Sequence, residues 1–287
     1  MTVIQDNIRL SSDIFFFLQN NSSGEVLLTT SKGIYLQFPS RILLITSQDY
    51  GVTPIGIGLS HFVDFLTVID PKAGQKVAIS DGRICFSGGI LEAEWDVVTA
   101  PAKVIRIIPE QIRCCAQQLL EQCVNSRGVA SLAAPLLLDL PLPINARSNP
   151  YCSVALRVLN KLVSGKTDNI EEVVRRLLGL GLGLTPSLDD VMLGMLYGWM
   201  RFAPNEPRTA SLRDAILTNA PICTNSISAA YLIAVAQNGI FELLDNLIDG
   251  LSGETPINIA PILQIGSSSG SEMLLGLLLA AKMTMKG

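Results

Sequence analysis

Pro109-Glu110-Gln111-Ile112-Arg113-Cys114-Cys115-Ala116-Gln117-Gln118-Leu119-Leu120-Glu121-Gln122-Cys123 is where the chain changes its period. Ile112, Cys115, Ala116, Leu119, Leu120 and Cys123 recur at three- and four-residue spacing, the apolar stripe of a helix. Pro109 suits the first helical position and Glu110 the positive helix end. Ser126-Arg127-Gly128 reads as the stop.

Upstream of Pro109 the pattern is that of strands. Gly24–Thr30 and Ile34–Phe38 are β-branched and aromatic runs joined through Lys32-Gly33. Lys76–Ser80 and Arg83–Phe86 flank Asp81-Gly82, a two-residue hairpin signal. Arg41–Thr46 and Ala102–Ile108 read as further strands, and Gly51–Leu59, with Pro54, Gly56 and Gly58, as a loop or bulged strand. Downstream, Pro135, Pro141, Pro143 and Pro150 punctuate a proline-rich connector over residues 135–150. Helices are expected at Pro150–Val163, after an Asp168-Asn169-Ile170-Glu171 capping box, and over Pro186–Phe202, Ala210–Thr218, Asn225–Gln237, Ile240–Asp249 and Ser271–Met285, with Asn238-Gly239 as a stop. The expected fold is therefore α+β. A β-rich antiparallel N-terminal part (barrel or sandwich, residues 1–108) precedes an all-helical C-terminal part (residues 109–287).

Composition narrows the function classes. The 287 residues carry 21 Lys and Arg against 25 Asp and Glu, a net charge of −4, without a basic cluster, which argues against nucleic-acid binding. The hydrophobic share is 48% and the mean hydropathy +0.40, which raises the question of a membrane. The longest apolar runs, Leu177–Leu184, Val191–Met200 and Met273–Ala281, fall short of the ~20 residues a spanning helix needs. No basic stretch followed by an apolar run opens the chain, so a cytoplasmic protein without membrane association is expected. Six cysteines show neither CxxC nor metal-ligand spacing and read as core residues of a reducing compartment. His61 is the sole histidine, which disfavours a His-rich metal centre or a Ser-His-Asp triad.

Three helix starts carry the chemistry. The first is Gly179-Leu180-Gly181-Leu182-Gly183-Leu184-Thr185-Pro186-Ser187-Leu188-Asp189-Asp190, the second Thr224-Asn225-Ser226-Ile227-Ser228, the third Gly266-Ser267-Ser268-Ser269-Gly270-Ser271-Glu272. Small and hydroxyl residues before a helix leave N–H groups and a positive dipole end to hold a phosphate or carboxylate. The competing reading is plain capping, since Ser187-x-x-Asp190 and Ser269-x-x-Glu272 are both capping-box patterns. Ser187, Asp190 and Gly194 also align with Ser269, Glu272 and Gly276, which hints at an internal duplication. Asp189 and Asp190 point about 100° apart on a helix, so they serve different partners. A carboxylate beside an anion repels it unless Mg²⁺ or an amide lies between; no organic cofactor is indicated. Gly194, Gly198 and Gly276 inside helices imply close packing, since each costs about 1 kcal/mol relative to Ala.

The run Leu178–Asp190 resembles the Gly-Leu-Gly-x-Gly-Leu-Thr-Pro-Ser-Gly-Asp-Asp motif of the AllH family, and Thr224–Ser228 and Ile265–Gly270 resemble that family's Thr/Ser-rich and Gly-His-Ser-Ser-Gly segments. The resemblance implies a subunit of an oxamate carbamoyltransferase. That assembly interconverts oxalurate plus phosphate with oxamate plus carbamoyl phosphate in allantoin breakdown, with FdrA-like and AllG-like subunits as partners. It implies Asp189 and Asp190 as catalytic residues. The substrate would bind at Gly181, Gly183, Thr185, Pro186, Ser187, Thr224, Asn225, Ser226, Ser228, Gly266, Ser268, Ser269 and Gly270. Leu188 stands where the family has Gly, Ser267 where it has His, and Leu182 where Pro is common. Leu188 is expected to crowd a ligand, and the missing His removes an acid–base group. The alternative is a non-catalytic scaffold or small-anion-sensing subunit.

Overall fold

The computed structural model describes residues 2–99, 105–123, 128–167 and 169–285. The chain forms two units, Met1–Pro101 with Asn238–Glu242, and Ala102–Gln237 with Leu243–Gly287.

The first unit is built on a closed eight-stranded barrel. Its elements are β1 (Thr2–Ser11), α1 (Ser12–Leu18), β2 (Ser22–Thr29), β3 (Gly33–Gln37), β4 (Ile42–Ser47), β5 (Gly56–Leu59), α2 (Phe62–Ile69), β6 (Lys76–Ser80), β7 (Arg83–Phe86) and β8 (Gly89–Val98). The barrel order is β1-β5-β4-β3-β2-β6-β7-β8. Two neighbouring pairs, β1–β8 and β4–β5, run parallel, and the others antiparallel. Closure leaves no unpaired edge. Alternate residues point inward: Ile34 and Leu36, Leu43 and Ile45, Val77 and Ile79, Ile84 and Phe86. Ile14 and Leu18 of α1, and Phe62, Phe65 and Ile69 of α2, belong to the same core. The Phe65 and Phe86 rings meet edge to face at 5.6 Å. The Asp81-Gly82 hairpin forms as expected, with both residues at positive φ and Ser80 paired to Arg83.

Of the two readings of Gly51–Leu59, the strand holds for Gly56–Leu59, which forms β5 between β1 and β4, while one other strand expectation is corrected. Of the Ala102–Ile108 strand, residues 102–104 lie outside the described residues. Residues 105–108 are not a strand, and Ile108 instead flanks the next helix, its N–H bound to the Leu251 carbonyl.

The second unit is helical: α3 (Pro109–Gln122), α4 (Ala133–Leu137), α5 (Pro150–Val163), α6 (Ile170–Leu177), α7 (Ser187–Phe202), α8 (Pro207–Cys223), α9 (Ser226–Ala236), α10 (Glu242–Ser252), α11 (Ala260–Leu263) and α12 (Ser269–Thr284). Ser126 and Arg127, read as the stop of α3, and Asp168, read as a cap, lie outside the described residues. Asn169 caps α6, accepting from the Glu172 N–H at 3.0 Å. The proline-rich connector begins inside a buried helix rather than in a loop: Pro135 lies in α4, whose residues are largely buried.

The apolar runs of the sequence become α7 and α12. Every residue from Ser187 to Trp199 and from Gly270 to Ala281 is buried. A helix apolar all round sits in the middle of a core. No helix among the described residues is long and apolar enough to cross a membrane.

The two central helices meet backbone to backbone. A Cβ on Gly194 would stand 1.9 Å from the Met273 carbonyl oxygen, and one on Gly276 would stand 2.0 Å from the Val191 carbonyl oxygen. These contacts are reciprocal. Gly194 and Gly276, and Val191 and Met273, are equivalent positions of the two aligned segments. Gly198 faces its own equivalent, Ala280. The duplication read from Ser187, Asp190 and Gly194 is thus matched by a local two-fold arrangement of contacts.

A methyl group at either glycine must push two backbones apart. Gly276→Ala is expected to cost at least about 2 kcal/mol, more than an ordinary overpacked core site. Urea unfolding of the full chain measures it. A loss under about 0.5 kcal/mol would mean that the helices separate freely.

Candidate functional site

The approach of α7 and α12 puts their N-terminal turns side by side. Pro186 precedes the first turn of α7 and offers no side-chain cap, and Ser268 at the start of α12 makes no cap bond to the backbone. The two capping-box patterns therefore do not close within their own helices. Polar support comes from across the pair instead: Ser187 of α7 favours the charged form of Glu272 on α12, and Ser269 of α12 that of Asp190 on α7. Thr185 donates to Asp190 Oδ2 at 2.9 Å, and its hydroxyl lies 3.0 Å from that of Ser269. Ser268 donates to Glu272 Oε2 at 3.1 Å, and the Val129 N–H to Glu272 Oε1 at 3.0 Å.

Asp189 faces a different neighbour, as adjacent helical positions require. Its Oδ1 accepts from the Gly179 N–H at 2.6 Å. Its Oδ2 accepts from Ser228 at 2.6 Å and from Thr224. One carboxylate therefore ties the glycine loop, the start of α7 and the start of α9 together. Asn225 completes the join: its Oδ1 caps α9 through the Ile227 and Ser228 N–H groups, and its Nδ2 donates to the Leu184 carbonyl at 2.9 Å. All three helix starts predicted from sequence are thus linked by direct hydrogen bonds.

The glycine loop fits only this backbone. Gly181 has φ 129°, and a Cβ there would stand 2.2 Å from the Ser187 nitrogen. Gly179 has φ 78°, with the Cys223 carbonyl oxygen 2.2 Å from where a Cβ would be. The Leu180 carbonyl accepts the Leu188 N–H at 2.9 Å, so the loop itself satisfies part of the α7 start. Gly270, on α12, passes against the Ile262 carbonyl of α11.

The three carboxylates are buried: Asp189 is 1% exposed, Asp190 2% and Glu272 0%. Burial raises the pKa of each above the ordinary carboxylate range. For Asp190, placed well above it, the second cause is the negative charge of Glu272. Hydrogen bonds from Ser228, Thr224 and Gly179 oppose the shift at Asp189; Ser187, Val129 and Ser268 oppose it at Glu272. Among the described residues no group of three His, Cys, Asp or Glu is arranged to hold a metal ion. Burial pushes the Cys115 thiol up to about 12, which leaves it unsuited to act as a nucleophile.

The surface side of the site consists of Gly183, Asn225, Ser226 and Gly266, with Gly181, Thr185, Thr224, Ser268 and Ser269 half-buried, while Pro186, Ser187, Ser228 and Gly270 lie inside. Leu188 is 0% exposed and does not reach the surface, which overturns the expectation that it crowds a ligand. Leu182 is 65% exposed and Ser267 is exposed, so these two departures do lie at the surface. Glu272 is the residue that sequence reading left out of the site. Its signal was present in the Ser269-x-x-Glu272 pattern, but was read as a cap.

Residues 177–281 match a family model described as oxamate carbamoyltransferase subunit AllH. This stretch is similar to the AllH family. No solved structure matches the chain. The AllH match spans all three helix starts, from the residues before Gly179 to the body of α12.

Asp189→Ala would strand the Gly179 N–H and two hydroxyls inside the AllH region. Each buried donor left unpaired costs about 1–3 kcal/mol, so a loss of about 3 kcal/mol is expected. Denaturant unfolding measures the loss, and limited proteolysis within residues 179–184 reports release of the loop. Stability and cleavage equal to the native protein would mean that Asp189 does not hold the starts together.

Proposed function

We propose that this chain is a subunit of an oxamate carbamoyltransferase-like assembly and that the joined starts of α7, α9 and α12 bind a small anionic amide or its phosphate donor. The family match supports membership of such a system. The single observation carrying the site is the bonding of three helix starts into one cluster inside the matched region. The proposed ligand-facing residues are Gly181, Gly183, Thr185, Thr224, Asn225, Ser226, Gly266, Ser268 and Ser269. Pro186, Ser187, Ser228 and Gly270 shape the site from within.

The hydrogen-bond directions suit an amide. Thr185 spends its proton on Asp190, and Ser228 and Thr224 spend theirs on Asp189. A hydroxyl whose proton is engaged offers lone pairs to a ligand N–H. The carbamoyl or oxamate NH₂ group then meets acceptors, and the anionic end goes to backbone N–H groups at the helix starts. Asp190 and Asp189 polarise these hydroxyls from behind, and catalysis works through electrostatic placement rather than a covalent intermediate. FdrA-like and AllG-like chains are the proposed partners, carbamoyl transfer between phosphate and oxamate in purine degradation the proposed reaction, and the cytoplasm the proposed compartment.

A second reading has an observation behind it. The three carboxylates and Asn225 are already saturated by internal bonds, as in a scaffold or sensing subunit. Thermal unfolding with carbamoyl phosphate, oxamate, oxalurate and Mg²⁺ separates a binding chain from a scaffold. A ligand at a hundredfold excess over Kd should add about 2.7 kcal/mol. Absence of a shift with every ligand, for the chain alone and with its partners, supports the scaffold. Ligand binding with full activity of an Asp190→Ala complex would leave a sensing role.

A further inference from the structure

We propose that the cleft between α5 and α6 is a second binding site on this chain, and that it takes a small doubly charged oxyanion, orthophosphate or the phosphate end of a small ester. The proposal does not rest on the reading of the joined helix starts, and none of the residues lining the cleft belongs to them.

The two helices bring together cations that are separate in sequence. Arg157 and Lys161 line the cleft from α5, and Arg176 and Glu172 line it from α6. Buried Val158 and Val173 back it. Arg157 and Lys161 stand at i, i+4 on one helix face, where like charges repel. Arg176 is held by Glu172 at 2.6 Å, and Glu172 is the one carboxylate among the described residues that line the cleft. Arg157 and Lys161 therefore have no ion pair among the described residues. On a chain of net charge −4, this cleft carries three cations against a single carboxylate. An anion between the two helices relieves the repulsion.

Helix ends alone do not account for the arrangement. Lys161 and Arg176 stand in the last turns of their helices, where the dipole favours a cation in any case. Arg157 stands in the middle of α5 and has no such end to serve. Neutral donors lie beside the cations, on the turn between the helices. Thr167 Oγ1 accepts the Asn169 N–H at 3.4 Å and keeps its own proton to donate. Asn169 uses its Oδ1 on the Glu172 N–H at 3.0 Å, which leaves its NH₂ group. Guanidinium, ammonium, hydroxyl and amide donors together match an oxyanion with several acceptor oxygens. Size selects among such anions. The cavity measures about 60 Å³, far below the roughly 300–1,000 Å³ of pockets that enclose larger organic ligands. A single phosphate group fits that scale and a whole nucleotide does not.

The test is a calorimetric titration of the full chain at fixed ionic strength, with inorganic phosphate and with a simple phosphate monoester as probes. It compares the native protein with Arg157→Gln and Lys161→Gln. Both positions are exposed, so the variants should melt with the native protein. The expected result is a binding event in the native protein that weakens about tenfold or more in either variant. Tighter binding of the monoester supports the site with an ester as its ligand, and tighter binding of phosphate supports it with the free ion. Absence of binding by the native protein overturns the proposal. So does binding that both variants retain in full, which would put the anion elsewhere on the chain. Binding of a phosphorylated peptide, with neither small probe bound, overturns the small-anion assignment.

Discussion

Everything in the helical unit depends on two backbones touching. Helices normally keep 8–10 Å between axes because side chains stand between them. Gly194 and Gly276 remove that spacer at equivalent positions, so the Met273 and Val191 carbonyls lie where a Cβ would otherwise be. Each glycine weakens its own helix, and the loss is recovered only if the partner fills the groove. The contact is therefore specific to this pair of helices and this register. It also explains the composition. Two helices buried on every side need apolar residues all round, which raises the mean hydropathy without any membrane-crossing helix among the described residues.

The same contact dictates the polar arrangement. Helix N-termini need acceptors, and carboxylates in the first turn are favourable there. When two such turns are pressed together in a dry interior, the charge of Glu272 bears on Asp190. Water is excluded, so protein donors must satisfy them. Ser187, Ser268, Ser269 and Thr185 do so, in part by crossing from one helix to the other. Asp189, turned away from this contact, takes the opposite task and binds α9 and the glycine loop. The two adjacent aspartates thus divide the work by helical geometry alone.

Much of this was legible beforehand, and what escaped has physical reasons. The period change at Pro109, the Asp81-Gly82 hairpin and the Pro150–Val163 helix are local signals, and local signals survive in sequence. β1 and β8 were not seen. Their pairing is parallel and joins the two ends of the barrel region, and polar or half-exposed residues dilute the alternation along each strand. α1 was hidden because Phe15-Phe16-Phe17 favours strands, whereas packing of Ile14 and Leu18 in the barrel core holds a helix there. In the site, the residues and even the internal duplication were visible. The partners were not: Ser187-x-x-Asp190 has the same spelling whether the serine caps its own helix or crosses to another. Leu188 was misread for the same reason, since a position beside a ligand motif and a position in the core differ by only one step around the helix.

The direction of the hydroxyl protons decides what such a site can recognise. A simple cradle of three helix starts would attract any small anion, including phosphate. Here the carboxylates behind the hydroxyls draw those protons inward, so in the proposed site Thr185 and Thr224 present lone pairs, and an anionic end would have to meet whatever N–H groups the helix starts leave over. Acceptors and donors then lie on different parts of one surface. A symmetric anion satisfies only the donors and is repelled by the remaining negative charge behind the hydroxyls. A molecule with an amide at one end and an anionic group at the other satisfies both. The buried carboxylates that make a plain phosphate cradle uncomfortable are therefore what gives the proposed site its preference.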